Sequence, residues 1–327
     1  MKILVTGGTG FTGALLVSRL LDMGHIVRSL DNQPGIFYEE LNAKGAELIT
    51  GSVTDRQVVM DATQGMDFVF HLAAAFRQMN APDSYYYDVN VRGTRYVLEA
   101  AKACDVKRVV YCSTQGVHGH VENPPGNEDS PIAPADYYQQ TKYEGEEVTQ
   151  EFISQGMNCT ILRPTAMYGP GDPERFFMIF KRVKKGMFPM FGSGKTFYHP
   201  LYIDNLVDAF ILTLDLDKGA GGTYLIADEE YVSIQTLVEK VSLAMDTKVR
   251  IPHLPITPLI IAGHIMEKLC KPFGISPPIF PRRVDWYRQV RAFVITKAKT
   301  ELGYVPRVAL DEGLRKTAEW YKSKGYL

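Results

Sequence analysis

An excess of either charge is missing from this chain: 36 Lys and Arg stand against 37 Asp and Glu in 327 residues, a formal net charge of −1. With the two signs interspersed, no broad electrostatic footprint for nucleic acid or anionic membrane emerges, and no nucleic-acid partner is expected. Cysteine is scarce too. Its four positions, Cys104, Cys112, Cys159 and Cys270, are widely separated, two of them inside predicted strands. That pattern argues against a disulfide framework or a metal centre and for reduced core thiols in a cytoplasmic protein. No run reaches the ~18 apolar residues of a membrane span. The nearest, Ile256 to Cys270, is interrupted by Pro258, Gly263, His264, Glu267 and Lys268 and reads as a buried or interfacial helix. The N-terminus enters a strand almost at once, so no signal peptide is expected. Internal repeats, low-complexity tracts and long charge runs are absent as well. What remains is a globular composition, long enough for a substantial core in two modest domains or one with an attached lobe.

The strongest local signal is Thr6-Gly7-Gly8-Thr9-Gly10-Phe11-Thr12-Gly13. Lys2 to Thr6 is a β-branched apolar run, and Phe11, Leu15, Leu16 and Leu20 recur at helical spacing, so the glycines occupy a strand-to-helix turn. Without a Cβ, Gly7 can turn tightly, Gly10 can admit a pyrophosphate and Gly13 can let the helix pack on the strand. The helix opened by Phe11, Thr12 and Gly13 then aims free N–H groups and its positive end at the anion. A second strand, His25 to Leu30, ends at Asp31, whose carboxylate can accept from an adenosine ribose and repel a 2′-phosphate. Asn32 follows rather than an arginine, so NAD is favoured over NADP.

Strand and helix keep alternating. Helices are predicted around Ile36 to Lys44, Asp55 to Thr63, Ser84 to Cys104 and Tyr138 to Ser154, and strands at Ala46 to Thr50, Asp67 to His71, Arg108 to Cys112 and Asn158 to Leu162. The pattern implies an α/β fold, a doubly wound, mostly parallel sheet with ligand at the carboxyl ends of its strands. Those ends put Ser52 and Val53 beside an adenine, Leu72, Ala73 and Ala74 along a flat cofactor, and Ser113 and Pro164 nearby. Alternation stops after Gly169-Pro170-Gly171-Asp172-Pro173. Residues 1–168 are therefore expected to form a dinucleotide-binding domain and 169–327 a smaller, mostly helical substrate lobe, with about 201–227 returning to the main sheet. Helices are predicted near Ile234 to Met245, Thr257 to Leu269 and Leu310 to Lys322.

Tyr138 and Lys142, four residues apart, share one helix face. A nearby ammonium favours phenolate, so Tyr138 can exchange a proton with a substrate hydroxyl while a hydride leaves or joins the same carbon. Lys142 would also hydrogen-bond the nicotinamide ribose. A hydroxyl from Thr114, with Ser113 as understudy, could steady the charge on the reacting oxygen.

With these residues in place the chain resembles the extended short-chain dehydrogenase/reductases, also called the NAD-dependent epimerase/dehydratase family. The matching segments are the glycine turn, Asp31, His71-Leu72-Ala73-Ala74, Asn90-Val91-Arg92-Gly93-Thr94, Ser113-Thr114, Tyr138 with Lys142, Leu162-Arg163-Pro164 and Tyr168-Gly169-Pro170. The resemblance implies a catalytic trio of Thr114, Tyr138 and Lys142, Asn90 near the cofactor supporting the active-site helix, and a homodimer built on the helices at about 84–104 and 138–154.

Thr114 is followed by Gln115 and Gly116, where the family's sugar dehydratases and decarboxylases carry acids, so those reactions are disfavoured. His118 replaces a tyrosine common in the family and is read as packed rather than catalytic. Tyr198 stands where nucleotide-sugar enzymes usually carry a diphosphate-gripping arginine, and the segment from Tyr202 to Ala209 and the tail from Pro277 to Phe293 look closer to the 3β-hydroxysteroid dehydrogenase-like branch. Arg282, Arg283, Arg288 and Arg291 keep a phosphorylated substrate open. The leading expectation is an NAD(H)-dependent oxidoreductase interconverting a secondary alcohol and a ketone. Its alternatives are a nucleotide-sugar 4-epimerase retaining NAD and a non-catalytic NAD-sensing or scaffold protein.

Overall fold

The computed structural model describes residues 1–76, 81–172, 175–270 and 284–327. The chain runs through β1 (Lys2–Thr6), α1 (Phe11–Asp22), β2 (Ile26–Asp31), α2 (Tyr38–Ala43), β3 (Glu47–Thr50), α3 (Arg56–Thr63) and β4 (Phe68–His71). Next come α4 (Asp83–Tyr87), α5 (Gly93–Ala103), β5 (Arg108–Cys112), α6 (Tyr137–Ser154), β6 (Cys159–Pro164), β7 (Ala166–Tyr168) and α7 (Arg175–Lys184). Shorter strands then intervene: β8 (Met190–Phe191), β9 (Phe197–Tyr198), β10 (Pro200–Tyr202), α8 (Ile203–Leu212), β11 (Thr223–Ile226), β12 (Val232–Ser233), α9 (Ile234–Ala244), β13 (His253–Leu254) and α10 (Thr257–Cys270). A last helix spans Leu310–Ser323.

The main sheet is parallel throughout, in the order β3-β2-β1-β4-β5-β6-β11. Every residue of β4 and β6 is buried, because helices cover both faces and a strand between two layers needs no polar alternation. One face buries Leu16, Val17 and Leu20 of α1 with Leu206, Val207 and Phe210 of α8. The other buries Val59 of α3, Val97 and Leu98 of α5, and Val148 and Phe152 of α6. Thr223–Ile226 returns from the far side of the chain to pair with β6. A separate aromatic and aliphatic cluster, including Phe176, Phe180, Leu237, Val238 and Leu314, holds α7, α9 and the last helix together as a lobe.

Strand order reverses between β1 and β4, which opens a crevice at their carboxyl ends. The floor of that crevice is fixed by His71. Its Nδ1 lies 2.7 Å from Thr6 Oγ1 and its Nε2 3.0 Å from Thr94 Oγ1. Because Thr94 donates its proton to the Asn90 carbonyl at 2.7 Å, Nε2 is the donor and Nδ1 the acceptor, a neutral ring. Burial pushes the His71 pKa down to about 3, in keeping with that tautomer.

The continuous helix expected over Ser84 to Cys104 is interrupted. Asp88–Arg92 makes a π-helical turn between α4 and α5, with Asn90 fully buried within it. A single widened turn leaves the apolar spacing on either side helical, so periodicity does not register it.

Candidate active site

The glycine turn follows from local sterics. Gly7 has φ +70°, and a Cβ there would lie 2.8 Å from Ala73 N; a Cβ on Gly13 would lie 2.0 Å from the Gly7 carbonyl oxygen. Gly10, by contrast, is exposed and meets only that carbonyl, at 3.3 Å, so its outer side is open to a ligand. Among the described residues no side chain caps α1, and no acid stands in its first turn, which leaves the N–H groups of Phe11, Thr12 and Gly13 and the helix dipole for an anion. Asp31 is held in place from two sides: Oδ2 accepts from Thr9 N at 3.1 Å and Thr9 Oγ1 at 2.8 Å, and Oδ1 from Asn32 N at 2.9 Å. A carboxylate has about four acceptor positions, so capacity remains for a ribose.

Across the crevice, α6 begins where Asp136 caps it, its carboxylate accepting from Gln139 N at 2.9 Å. Tyr138 is half-buried, with its ring 5.0 Å from that of Phe76 in an edge contact; Tyr137 turns the other way, 6.4 Å from Tyr86. One turn on, Lys142 is 1% exposed, with Nζ 4.2 Å from the centroid of Tyr111. Nζ has no hydrogen-bond partner among the described residues. A buried ammonium without an acceptor is costly, and a ribose diol beside Tyr138 would supply what it lacks. That orphan, the bare end of α1 and the glycine cradle fit a dinucleotide.

Thr114 caps the short 3₁₀ turn Gln115–His118 by accepting from Gly116 N at 3.0 Å. With the oxygen engaged as acceptor, its proton is available to donate. The Ser113 hydroxyl is already spent on the carboxylate of Glu146, so Thr114 alone of the pair offers a free donor.

Glu146 carries no mark in the sequence that sets it apart, and neither does its pairing with Arg163. Arg163 Nη2 lies 2.6 Å from Glu146 Oε2 and Nε 3.0 Å from Oε1, with both side chains almost fully buried. Arg163 Nη1 also donates to His118 Nε2 at 3.0 Å, while His118 Nδ1 donates to Ser130 O at 3.0 Å. Burial first, then the Arg163 charge, hold the His118 pKa below its ordinary value, so the ring is a neutral acceptor and the packed reading stands. The one usable signal is spacing: Glu146 falls four residues after Lys142, on the face already identified.

Other anticipated positions separate by how they are used. Leu72, Ala73 and Ala74 lie at the end of β4, facing the glycine turn through the Gly7 to Ala73 approach. Ser52 Oγ is 2.8 Å from Thr54 Oγ1, and Val53 packs against Gly93, leaving both beside β2 and β3 rather than near Tyr138. Pro164 is buried at the end of β6. The Asn90 carboxamide is committed to protein: Oδ1 accepts from Ala75 N at 2.8 Å and Nδ2 donates to Thr141 Oγ1 at 3.0 Å, tying the loop after β4 to α6. Tyr198 is 1% exposed between Phe176 and Trp286, so that position presents nothing to a substrate. Arg282 and Arg283 lie outside the described residues. No group of His, Cys, Asp and Glu among the described residues could hold a metal ion.

Residues 3–227 match the family described as "NAD dependent epimerase/dehydratase family". Over 98% of its length the chain is 30% identical to the N-acetyl-alpha-D-glucosaminyl-diphospho-ditrans,octacis-undecaprenol 4-epimerase of Escherichia coli O157:H7, of which it covers 95%. It is 32% identical over 98% of its length to a 3 beta-hydroxysteroid dehydrogenase/Delta 5-->4-isomerase of Mycobacterium tuberculosis, of which it covers 90%. A crystal structure of a UDP-glucose 4-epimerase from Thermotoga maritima with UDP-glucose superimposes with a TM-score of 0.80 at 25% identity, over 99% of each chain.

Proposed function

The chain belongs to the NAD-dependent epimerase/dehydratase family as an NAD-binding enzyme, and from that premise we propose that it is a 4-epimerase of a hexose carried on a diphosphate. The observation that carries the reading is the likeness to 4-epimerases, and the site fits it: a hydroxyl at Thr114, a phenol at Tyr138, a buried ammonium at Lys142, and no acid in the turn after Thr114. Such a set moves a proton on and off one oxygen and has nothing to drive elimination. Sequence alone puts a dehydrogenase first; likeness to 4-epimerases in both sequence and structure moves the epimerase ahead.

In this reading residues 1–168 bind NAD and 169–327 form the substrate lobe, apart from about 201–227, which belong with the main sheet. NAD, when bound at the glycine turn and Lys142, supplies hydride acceptance and return at the carbinol carbon. Tyr138 takes the hydroxyl proton, Thr114 donates a hydrogen bond to the same oxygen as its charge changes, and Lys142 favours the phenolate and holds the ribose. When the ketone has presented its other face, Tyr138 returns the proton. We also propose a homodimer through α5 and α6, for which light scattering should give twice the chain mass.

The protein purified without added cofactor should carry NAD and interconvert UDP-galactose and UDP-glucose, or their N-acetyl counterparts, with no net NADH. Accumulation of NADH with a sterol or other secondary alcohol, and no interconversion of any sugar diphosphate, would give the answer to the dehydrogenase reading that the mycobacterial relative favours.

Burial lowers the Lys142 pKa to about 8. The ammonium is therefore present below that pH and lost above it, and with it the support for phenolate. Activity should fall as pH rises through about 8, and in Lys142→Arg, whose guanidinium stays charged, any residual activity should fall only at higher pH. An unmoved alkaline limb would remove Lys142 from this role.

A further inference from the structure

We propose that the end of α7 and the β8 and β13 ladder, together with the α10 helix that begins three residues beyond the ladder, dock on a bilayer containing anionic phospholipid. Composition gives no hint of it, because the charge of the whole chain averages to nearly zero. The fold gathers it. No acidic residue occurs between Arg175 and Phe191 or between Thr247 and Leu254. Lys181, Arg182, Lys184, Lys185, Lys248 and Arg250 are all exposed there, and none takes part in an ion pair among the described residues. The two segments are adjacent: Arg250 N donates to Gly186 O at 2.9 Å, and Phe188 N to Arg250 O at 2.8 Å.

Exposed apolar side chains lie along the same ladder and beyond its end. Met187, paired with Arg250, is 54% exposed, and Leu254, paired with Phe191, is 41% exposed. Three residues later α10 begins, carrying Ile261, Ile265 and Leu269 at 55%, 51% and 60% exposure. Spaced by four, these share one face of the helix. Cations alone would suit any polyanion, and an apolar stripe alone would suit a protein partner. Together they match the interface of a bilayer, where headgroup phosphates meet acyl chains. Among the described residues no helix is long and apolar enough to cross a membrane, so contact would be peripheral. This inference goes beyond the epimerase reading and does not rest on it.

Co-sedimentation of the full chain with vesicles of phosphatidylcholine and phosphatidylglycerol, against phosphatidylcholine alone, tests it without any substrate. Binding is expected to the mixed vesicles and to weaken with salt. Each cation near an anionic surface is worth about fivefold, so Lys181→Glu/Lys184→Glu/Lys185→Glu should weaken binding more than ~100-fold. Ile261→Ser/Ile265→Ser/Leu269→Ser should weaken it at least ~10-fold, with unchanged circular dichroism and thermal midpoint showing that both variants are folded. Absence of binding, or binding indifferent to the serine variant, overturns the proposal. So does a serine variant that changes the oligomeric state in light scattering while vesicle binding is untouched, since a second copy would then cover the stripe.

Discussion

Replacing Tyr138 by phenylalanine is expected to slow turnover by about 10²- to 10⁴-fold, or roughly 3–5 kcal/mol of barrier, with the fold intact. Only the hydroxyl is removed. The ring keeps its edge contact with Phe76, and the half-buried position leaves no large void to collapse. NAD should remain bound, because the glycine cradle, Asp31 and the Lys142 ammonium are unchanged. The informative comparison is Thr114→Val. It removes the free donor and also the cap on the turn at Gln115–His118, so a smaller loss in kcat should come with some loss of stability. Steady-state kinetics beside the NAD content of the purified variant checks both. Retention of full activity in Tyr138→Phe would remove the phenol from the chemistry.

The largest stability effect is expected at Glu146. In Glu146→Ala the Arg163 guanidinium loses its carboxylate while almost fully buried, and the Ser113 hydroxyl loses its acceptor. Breaking such a pair costs about 3–5 kcal/mol, because one charge is left without compensation. At about 1.5 °C per kcal/mol for a chain of 327 residues, the midpoint should drop by about 4–7 °C. Removing both charges, as in Glu146→Leu/Arg163→Met, should recover much of the loss, since buried ion pairs return little over well-packed apolar groups. Differential scanning calorimetry of the two variants decides the point. A single and a double variant of equal stability would show that the pair is not the source. Burial lowers the His118 pKa in both variants, but the Arg163 charge does so only in Glu146→Ala, so the His118 titration followed by NMR should lie higher in the double variant and provides a second reading.

Part of this site is legible in the sequence alone. Gly7, Gly10 and Gly13 stand between an apolar run and a helical period, and the sterics that demand glycine are local. Tyr138 and Lys142 share a helix face by a local four-residue spacing, and their place after the strand ending at Cys112, downstream of the glycine turn, marks that spacing as a site. The π turn at Asp88–Arg92 is not legible, because one widened turn leaves the apolar spacing on either side of it helical. Glu146 and Arg163 are hidden because they are 17 residues apart and meet only when α6 packs on β6. The choice between Ser113 and Thr114 likewise depends on which hydroxyl is already occupied, a matter settled by Glu146 from another element.

The sequence by itself determined the alternation of strands and helices, the dinucleotide turn and the helix that carries Tyr138 and Lys142, because each is encoded in periodicity and backbone freedom over a few residues. Only the tertiary structure decided that the Lys142 ammonium is buried without a protein acceptor among the described residues, that Asn90 serves Ala75 and Thr141, and that Tyr198 is core. It alone brought the cations of α7 beside Lys248 and Arg250. Burial, pairing and surface charge arise from contacts between segments far apart in the chain, and no local pattern contains them.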